Sequence, residues 1–241
     1  MGLISMIGIG PGRPDQLTAQ AVETIKNADV ICGYTVYVDL IRDLISNQLI
    51  YTTPMKQETE RCRWAIEQAE QGKRVALVCS GDAGVYGMAG LVHSLAQGKE
   101  IELQVIPGIT AALSGAALLG APLVHDFCTI SLSDLLTPWE VIERRIIGAG
   151  MADFVVCLYN PMSHKRTTHL KRACDLLLQY KSPETICGLA CNIGRNGEHA
   201  EYLTLAELRE KEVDMFTTVF VGNHDTRMVD GRMVTPRGYE V

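Results

Sequence analysis

Leu3-Ile4-Ser5-Met6-Ile7-Gly8-Ile9-Gly10-Pro11-Gly12 is an apolar run that stops at three glycines spaced two apart. A run of this kind ended by glycine predicts a buried strand entering a tight loop. Glycine has no side chain, so backbone there can lie directly against a ligand. The dinucleotide fingerprint Gly-x-Gly-x-x-Gly is met only at Gly8 and Gly10. Its third glycine falls on Arg13, and Pro11 removes an amide donor from the turn that would cradle pyrophosphate. Asp29 stands near the place of that fingerprint's acidic residue, which is a common residue at any position. A phosphate loop ending in Gly-Lys-Ser/Thr is absent: Gly72-Lys73 and Gly98-Lys99 are followed by Arg74 and Glu100 and read as helix-to-strand turns.

Outward from this run, strand-like and helix-like segments alternate. A helix is expected over 16–27, with Leu17, Ala21, Val22 and Ile25 on one face. A short strand follows over 30–32, a helix over 58–70 and a strand over 74–79 that ends in Ser80-Gly81-Asp82-Ala83-Gly84. Further on come a helix over 86–96, a strand over 101–106 ending in Pro107-Gly108, and an Ala- and Leu-rich helix over 109–119. This alternation predicts a mostly parallel sheet covered by helices. Gly120-Ala121-Pro122 breaks the pattern, after which it repeats: strands over 127–132, 154–158, 185–191, 217–221 and 232–235, and helices over 139–147 and 165–180. The fold class is therefore α/β, with two α/β domains at 1–117 and 118–241 and a cleft between them, where small molecules bind.

Composition narrows the function. The 241 residues are 47% hydrophobic and carry a net charge of -6, which argues against non-specific nucleic-acid binding. No apolar run approaches a membrane span, and no basic segment precedes the first apolar run, so the expectation is a soluble cytoplasmic protein without a signal peptide. The eight cysteines include no Cys-x-x-Cys and several lie inside strand-like runs. They read as small buried thiols in a reducing compartment. Cys187 and Cys191 lack the second pair that a metal or iron–sulfur site requires, so no metal is expected.

Each glycine-rich loop of the first half, at 8–12, 80–84 and 107–108, follows a predicted strand. In a parallel sheet these ends share one edge, where open α/β sheets bind ligands. Three loops in order, Gly8-Ile9-Gly10-Pro11-Gly12, Ser80-Gly81-Asp82-Ala83-Gly84-Val85-Tyr86-Gly87 and Val105-Ile106-Pro107-Gly108-Ile109-Thr110-Ala111, resemble the N-terminal motifs of the tetrapyrrole methylases. Leu158-Tyr159-Asn160-Pro161, Asn192-Ile193-Gly194-Arg195 and Val219-Phe220-Val221-Gly222 continue the resemblance, which spans essentially the whole chain. The departures are Ala83, where the family usually has proline, and Arg13, where it commonly has an acidic residue. Two longer stretches, 122–140 and Tyr159-Asn160-Pro161-Met162-Ser163-His164-Lys165-Arg166, resemble the branch that methylates carbon 17 of a corrin precursor and contracts its ring.

The resemblance implies a two-domain chain, usually a homodimer, that takes S-adenosyl-L-methionine as methyl donor and a tetrapyrrole as substrate, with or without cobalt. It places the donor against Pro11, Ser80, Gly81, Asp82, Val85, Thr110, Ala111, Asn160, Gly194 and Thr217. Gly10 and Gly12 are expected beside the macrocycle. Ser163 to Arg166, with His169, Lys171 and Arg172, is the densest basic patch in an acidic chain, and Lys165 and Arg166 are read as contacts to the substrate's carboxylates. Lys171 and Arg172 are read as a solvated helix face. Ring contraction, with closure of a lactone, needs an acid or base. Among His125, Asp126, Ser131, Ser133 and Asp134, the choice falls on Asp134, His125 and Ser133. Ser133 and Asp134 also precede a predicted helix and read equally as its caps. The rival functions are a sister methylase acting at C11 or C20, a tetrapyrrole carrier and a nicotinamide-dependent dehydrogenase.

Overall fold

The computed structural model describes residues 1–163 and 165–239. The chain divides into two units between Ala111 and Ala112. In the first, the opening run forms β1 (Leu3–Gly8), followed by α1 (Ala19–Asn27), β2 (Val30–Tyr34), α2 (Thr35–Asp39), β3 (Leu49–Thr53), α3 (Glu58–Glu70), β4 (Arg74–Cys79), α4 (Ala89–Leu95) and β5 (Glu102–Ile106). The strands pair in the order β3-β2-β4-β1-β5, every pairing parallel. The central strands are buried on both faces, as a parallel sheet covered by helices requires. Ile4 and Met6 of β1 join one core with Cys62 and Ile66 of α3, while Ile7 joins Ala21 and Ile25 of α1 on the opposite face.

In the sheet-covering layer of the first unit, α1 and α4 start later than their sequence periodicity predicts. Thr18 caps α1 by accepting the Ala21 amide at 3.1 Å, so the helix begins at Ala19 rather than at residue 16. Tyr86 takes a left-handed conformation (φ 55°), which keeps residues 86–88 out of α4.

The second unit contains α5 (Ala111–Leu119), β6 (Gly120–Ala121), β7 (Phe127–Ser131), α6 (Trp139–Met151), β8 (Val155–Tyr159), α7 (His169–Leu177), β9 (Ile186–Cys191), β10 (His199–Thr204), α8 (Leu205–Arg209), β11 (Thr217–Val221), β12 (Arg227–Val229) and β13 (Arg232–Val234). Its main sheet runs β10-β9-β11-β8-β7. Only β7 and β8 pair in parallel; the other pairings are antiparallel. The expected repeat of the parallel alternation thus stops after β8. Antiparallel neighbours need no helical crossover, and β9 returns as β10 through a short loop.

α5 packs on this second sheet. A Cβ at Gly115 would lie 2.8 Å from the Phe220 ring, and Ala112, Ala116 and Leu119 share a core with Cys157, Ala190 and Phe220. The helix therefore counts with the second unit, which sets the division ahead of the expected 117/118. Gly120 and Ala121 are not a mere break: they pair with Met233 and Val234. α7 begins at His169, not 165, because Ser163 and Arg166 exchange backbone hydrogen bonds in a closed turn. Among the described residues no helix is long and apolar enough to cross a membrane.

Candidate functional site

In the first unit the three glycine loops meet at the C-terminal edge of the sheet. Gly10 and Gly81 exchange backbone hydrogen bonds at 3.0 and 2.7 Å. Asp82 joins the second loop to the third: one carboxylate oxygen accepts the Gly84 amide at 2.8 Å and the other accepts the Gly108 amide at 2.9 Å. A Cβ at Gly8 would stand 2.6 Å from Gly108 N, and one at Gly108 would stand 2.2 Å from Gly81 O. Gly8 and Gly108 are thus required for the loops to pack on one another, a different task from the ligand approach that the sequence suggests. Gly10, Gly12 and Gly81 have positive φ (66°, 123° and 67°), which turns the chain at this edge.

Pro11 is buried, and Gly12, Ser80, Gly81, Val85, Thr110 and Ala111 are half-buried around this junction. The Ser80–Val85 and Pro107–Ala111 segments contain no lysine or arginine and one carboxylate. Arg13, the nearest cation in the first loop, pairs with Asp15 at 2.7 Å. Such a surface suits a cationic ligand bound through backbone groups.

In the second unit, Asn160 and Thr217 lie at the ends of β8 and β11 on one edge, and Gly194 follows β9 there. Asn160 is left-handed (φ 53°) and its Nδ2 donates to Ser131 Oγ at 3.0 Å. Thr217 is buried and donates to Asp214 at 2.9 Å, beside a cavity of about 410 Å³ that Cys191, Asn192 and Lys211 also line. The Gly194 amide donates to Glu198 at 2.6 Å.

The residues chosen for acid–base work separate. Ser133 Oγ accepts Arg166 at 3.0 Å, and Asp134 Oδ2 meets His169 Nε2 at 2.9 Å. The His169 hydrogen bond holds the Asp134 carboxyl below its usual range against the opposing effect of burial, with the Arg166 charge acting in the same direction. Neither residue caps α6, whose cap position is Pro138 with no side-chain bond. His125 is exposed and tied locally, its Nδ1 accepting the Asp126 amide at 2.8 Å. Lys165 is exposed, Arg166 half-buried, and His164 lies outside the described residues.

Sequence reasoning left Ser131 and His169 without a role. Arg172 is exposed, as expected of a solvated helix face, and its guanidinium lies 4.1 Å over the Trp139 ring. Lys171 also faces solvent, paired with Glu210 at 2.9 Å. The cysteines are free and mostly buried, and burial pushes the Cys62 thiol to about 12 and the Cys79 thiol to about 11.

Comparison with known proteins fits this geometry. A probable cobalt-factor III C(17)-methyltransferase of Salmonella typhimurium is 50% identical over 239 residues, covering 98% of this chain and 99% of that protein. A precorrin-3B C(17)-methyltransferase of a Sinorhizobium species is 39% identical over 250 residues, covering 99% of this chain and 97% of that protein. The crystal structure of the methyltransferase CobJ superposes with a TM-score of 0.90 at 34% identity, covering 98% of this chain and all of the other. Residues 3–209 match the model of the Tetrapyrrole (Corrin/Porphyrin) Methylases, and the chain belongs to that family.

Proposed function

We infer that the protein is an S-adenosylmethionine-dependent C-methyltransferase acting on carbon 17 of a corrin precursor in cobalamin biosynthesis. The observation that carries this reading is end-to-end likeness, at 50% identity, to a relative named for that reaction. The relatives are named for cobalt-factor III and for precorrin-3B. We assign the cobalt-containing substrate, in line with the higher identity to the first. Ring contraction and closure of a lactone, giving a precorrin-4 type product, complete the proposed reaction. A cytoplasmic homodimer belongs to the same reading.

When bound, the donor supplies an electrophilic methyl group on a sulfonium. Transfer to carbon needs in-line alignment more than acid–base help, and well-oriented reactants gain roughly 7–11 kcal/mol from proximity. We assign the donor to Pro11, Ser80, Gly81, Asp82, Val85, Thr110 and Ala111 of the first unit, and to Asn160, Gly194 and Thr217 of the second. The backbone-rich, cation-poor character of the first group fits a sulfonium. Because both Asp82 oxygens accept backbone amides, Asp82 contributes by shaping the loops and by its charge. Gly10, Gly12, Lys165 and Arg166 are assigned to the macrocycle, with the two cations meeting its carboxylates. For the proton movements of ring contraction, the solvent-reaching carboxylate of Asp134 is the acid–base candidate. Ser133 orients Arg166, and exposed His125 has a secondary place.

Anaerobic incubation with the trimethylated precursor, with and without cobalt, tests the reading. The expected product carries one more methyl group and the spectrum of a contracted ring, formed only with the cobalt-containing substrate. A product methylated at another ring position would assign the chain to a sister methylase. In calorimetry S-adenosylhomocysteine should bind and NAD should not; the reverse would restore the dehydrogenase reading.

A further inference from the structure

Three side-chain pairs tie the β7–α6 loop to the segment after β8. Asn160 donates to Ser131, Arg166 to Ser133, and His169 meets Asp134, so partners advance in register along both segments. The third pair differs in kind. His169 is 8% exposed, whereas the Asp134 side chain keeps 37% of its surface. A buried imidazole grips one oxygen of a carboxylate that a ligand can reach.

His169 cannot meet a ligand itself. Its Nδ1 is buried without a hydrogen-bond partner. Its ring stands edge-on to Trp139, with centroids 4.9 Å apart and planes at 80°. Packing thus fixes the ring, and with it the direction of the Nε2 bond. An imidazole here leaves one nitrogen unsatisfied in the interior, which is costly and which an apolar ring of similar shape would avoid. What the imidazole adds is its contact to Asp134.

We propose that His169 is a positioning residue for the reaction: its Nε2 fixes the Asp134 carboxylate in one orientation, presented to the substrate as the proton-accepting group. The inference rests on the reading of Asp134 as the acid–base residue. The charged groups around the pair are Arg166, whose charge acts on Asp134, and Arg172, which lies over Trp139. An aspartate is ionised through the neutral range, the state that a proton acceptor needs, and the His169 hydrogen bond favours that state further.

The test measures kcat for ring contraction from about pH 3 to 8, together with KM for the methyl donor, in wild type and in the variants His169→Phe, His169→Gln, Asp134→Asn and the double variant His169→Phe/Asp134→Asn. S-adenosylhomocysteine binding verifies that each variant is folded. His169→Asn, too short to reach Asp134, replaces His169→Phe if the latter fails that check. His169→Phe should lower kcat about 10- to 100-fold, the range for a lost supporting partner. It should leave KM for the donor unchanged and move the acid limb of the profile to higher pH. His169→Gln, which keeps an amide donor, should recover most of the loss. The double variant should be no slower than Asp134→Asn. An unmoved acid limb, or a full additional loss in the Asp134→Asn background, overturns the positioning role. A wild-type rate for Asp134→Asn overturns the reading of Asp134 itself, and this inference with it.

Discussion

Asp82 accepts the amide of Gly108 at 2.9 Å, across 26 residues of sequence, and this bond closes the third glycine loop onto the second. The other oxygen accepts the Gly84 amide. Replacing Asp82 by alanine removes both bonds and strands the half-buried Gly108 amide, while water reaches the exposed Gly84 amide, at a cost of about 1–3 kcal/mol. Denaturant unfolding should show that loss, and calorimetry should show weakened S-adenosylhomocysteine binding. Unchanged affinity would separate the loop junction from the donor site.

Glycine substitutions should divide by location. Gly8→Ala and Gly108→Ala each force a Cβ into backbone 2.6 or 2.2 Å away, so each should cost about 1–3 kcal/mol or more. Gly148, exposed in α6 with no atom near its absent Cβ, should instead gain up to about 1 kcal/mol on change to alanine. Equal melting temperatures for the three variants would contradict the packed-loop geometry.

Asp153 holds Lys181 at 2.7 Å, and the lysine side chain is only 1% exposed. Asp153→Ala would leave a buried, unpaired ammonium and should cost about 3–5 kcal/mol. Asp153→Asn with Lys181→Met removes both charges and, because asparagine tolerates the left-handed backbone at this position (φ 52°), should recover much of that loss. An equally unstable double variant would refute the charge explanation.

The same aspartate meets His224 Nδ1 at 2.5 Å. This bond, with the Asp225 charge, raises the His224 pKa above 6.5. Its contribution to stability is full below the unfolded value and is lost as pH rises through the raised folded one. For Asp153, burial pushes the carboxyl up, but hydrogen bonds from Lys181 and His224 outweigh it and bring the pKa below 3.8. That contribution is present above the unfolded value and lost as pH falls through the folded one. Thermal melts should show wild type losing stability between about pH 6 and 8, with His224→Ala nearly flat over that interval. Parallel curves would exclude the link.

Arg166→Ala should raise KM for the tetrapyrrole about tenfold, the scale of one charge-assisted contact, and leave KM for the donor near its wild-type value. Equal shifts in both constants would mean that Arg166 acts only by holding Ser133.

The parallel sheet of the first unit was legible because β1 and β4 are apolar runs, β1, β4 and β5 lead into glycine loops, and α1, α3 and α4 alternate with them. Helix starts were less so. Tyr86 and the Ser163–Arg166 turn depart from helix through backbone conformations that side-chain periodicity does not encode. β3 and β10 escaped notice because they are edge strands whose residues are largely half-exposed, so their apolar signal is weak. The glycine loops could be read from spacing, whereas His169 looked like one more member of a basic patch.

By itself, then, the sequence determined the α/β class, the glycine loops and their order, and the family. Local runs and short motifs carry all of these. Only tertiary structure decided what the glycines at 8 and 108 are for, that the second sheet turns antiparallel after β8, and that Ser131, Ser133 and Asp134 pair with Asn160, Arg166 and His169. These pairs span 29, 33 and 35 residues. They form because β7 and β8 lie side by side in parallel, with Ser131 opposite Tyr159. That register brings both outgoing loops to one edge, and register is a property of the folded sheet.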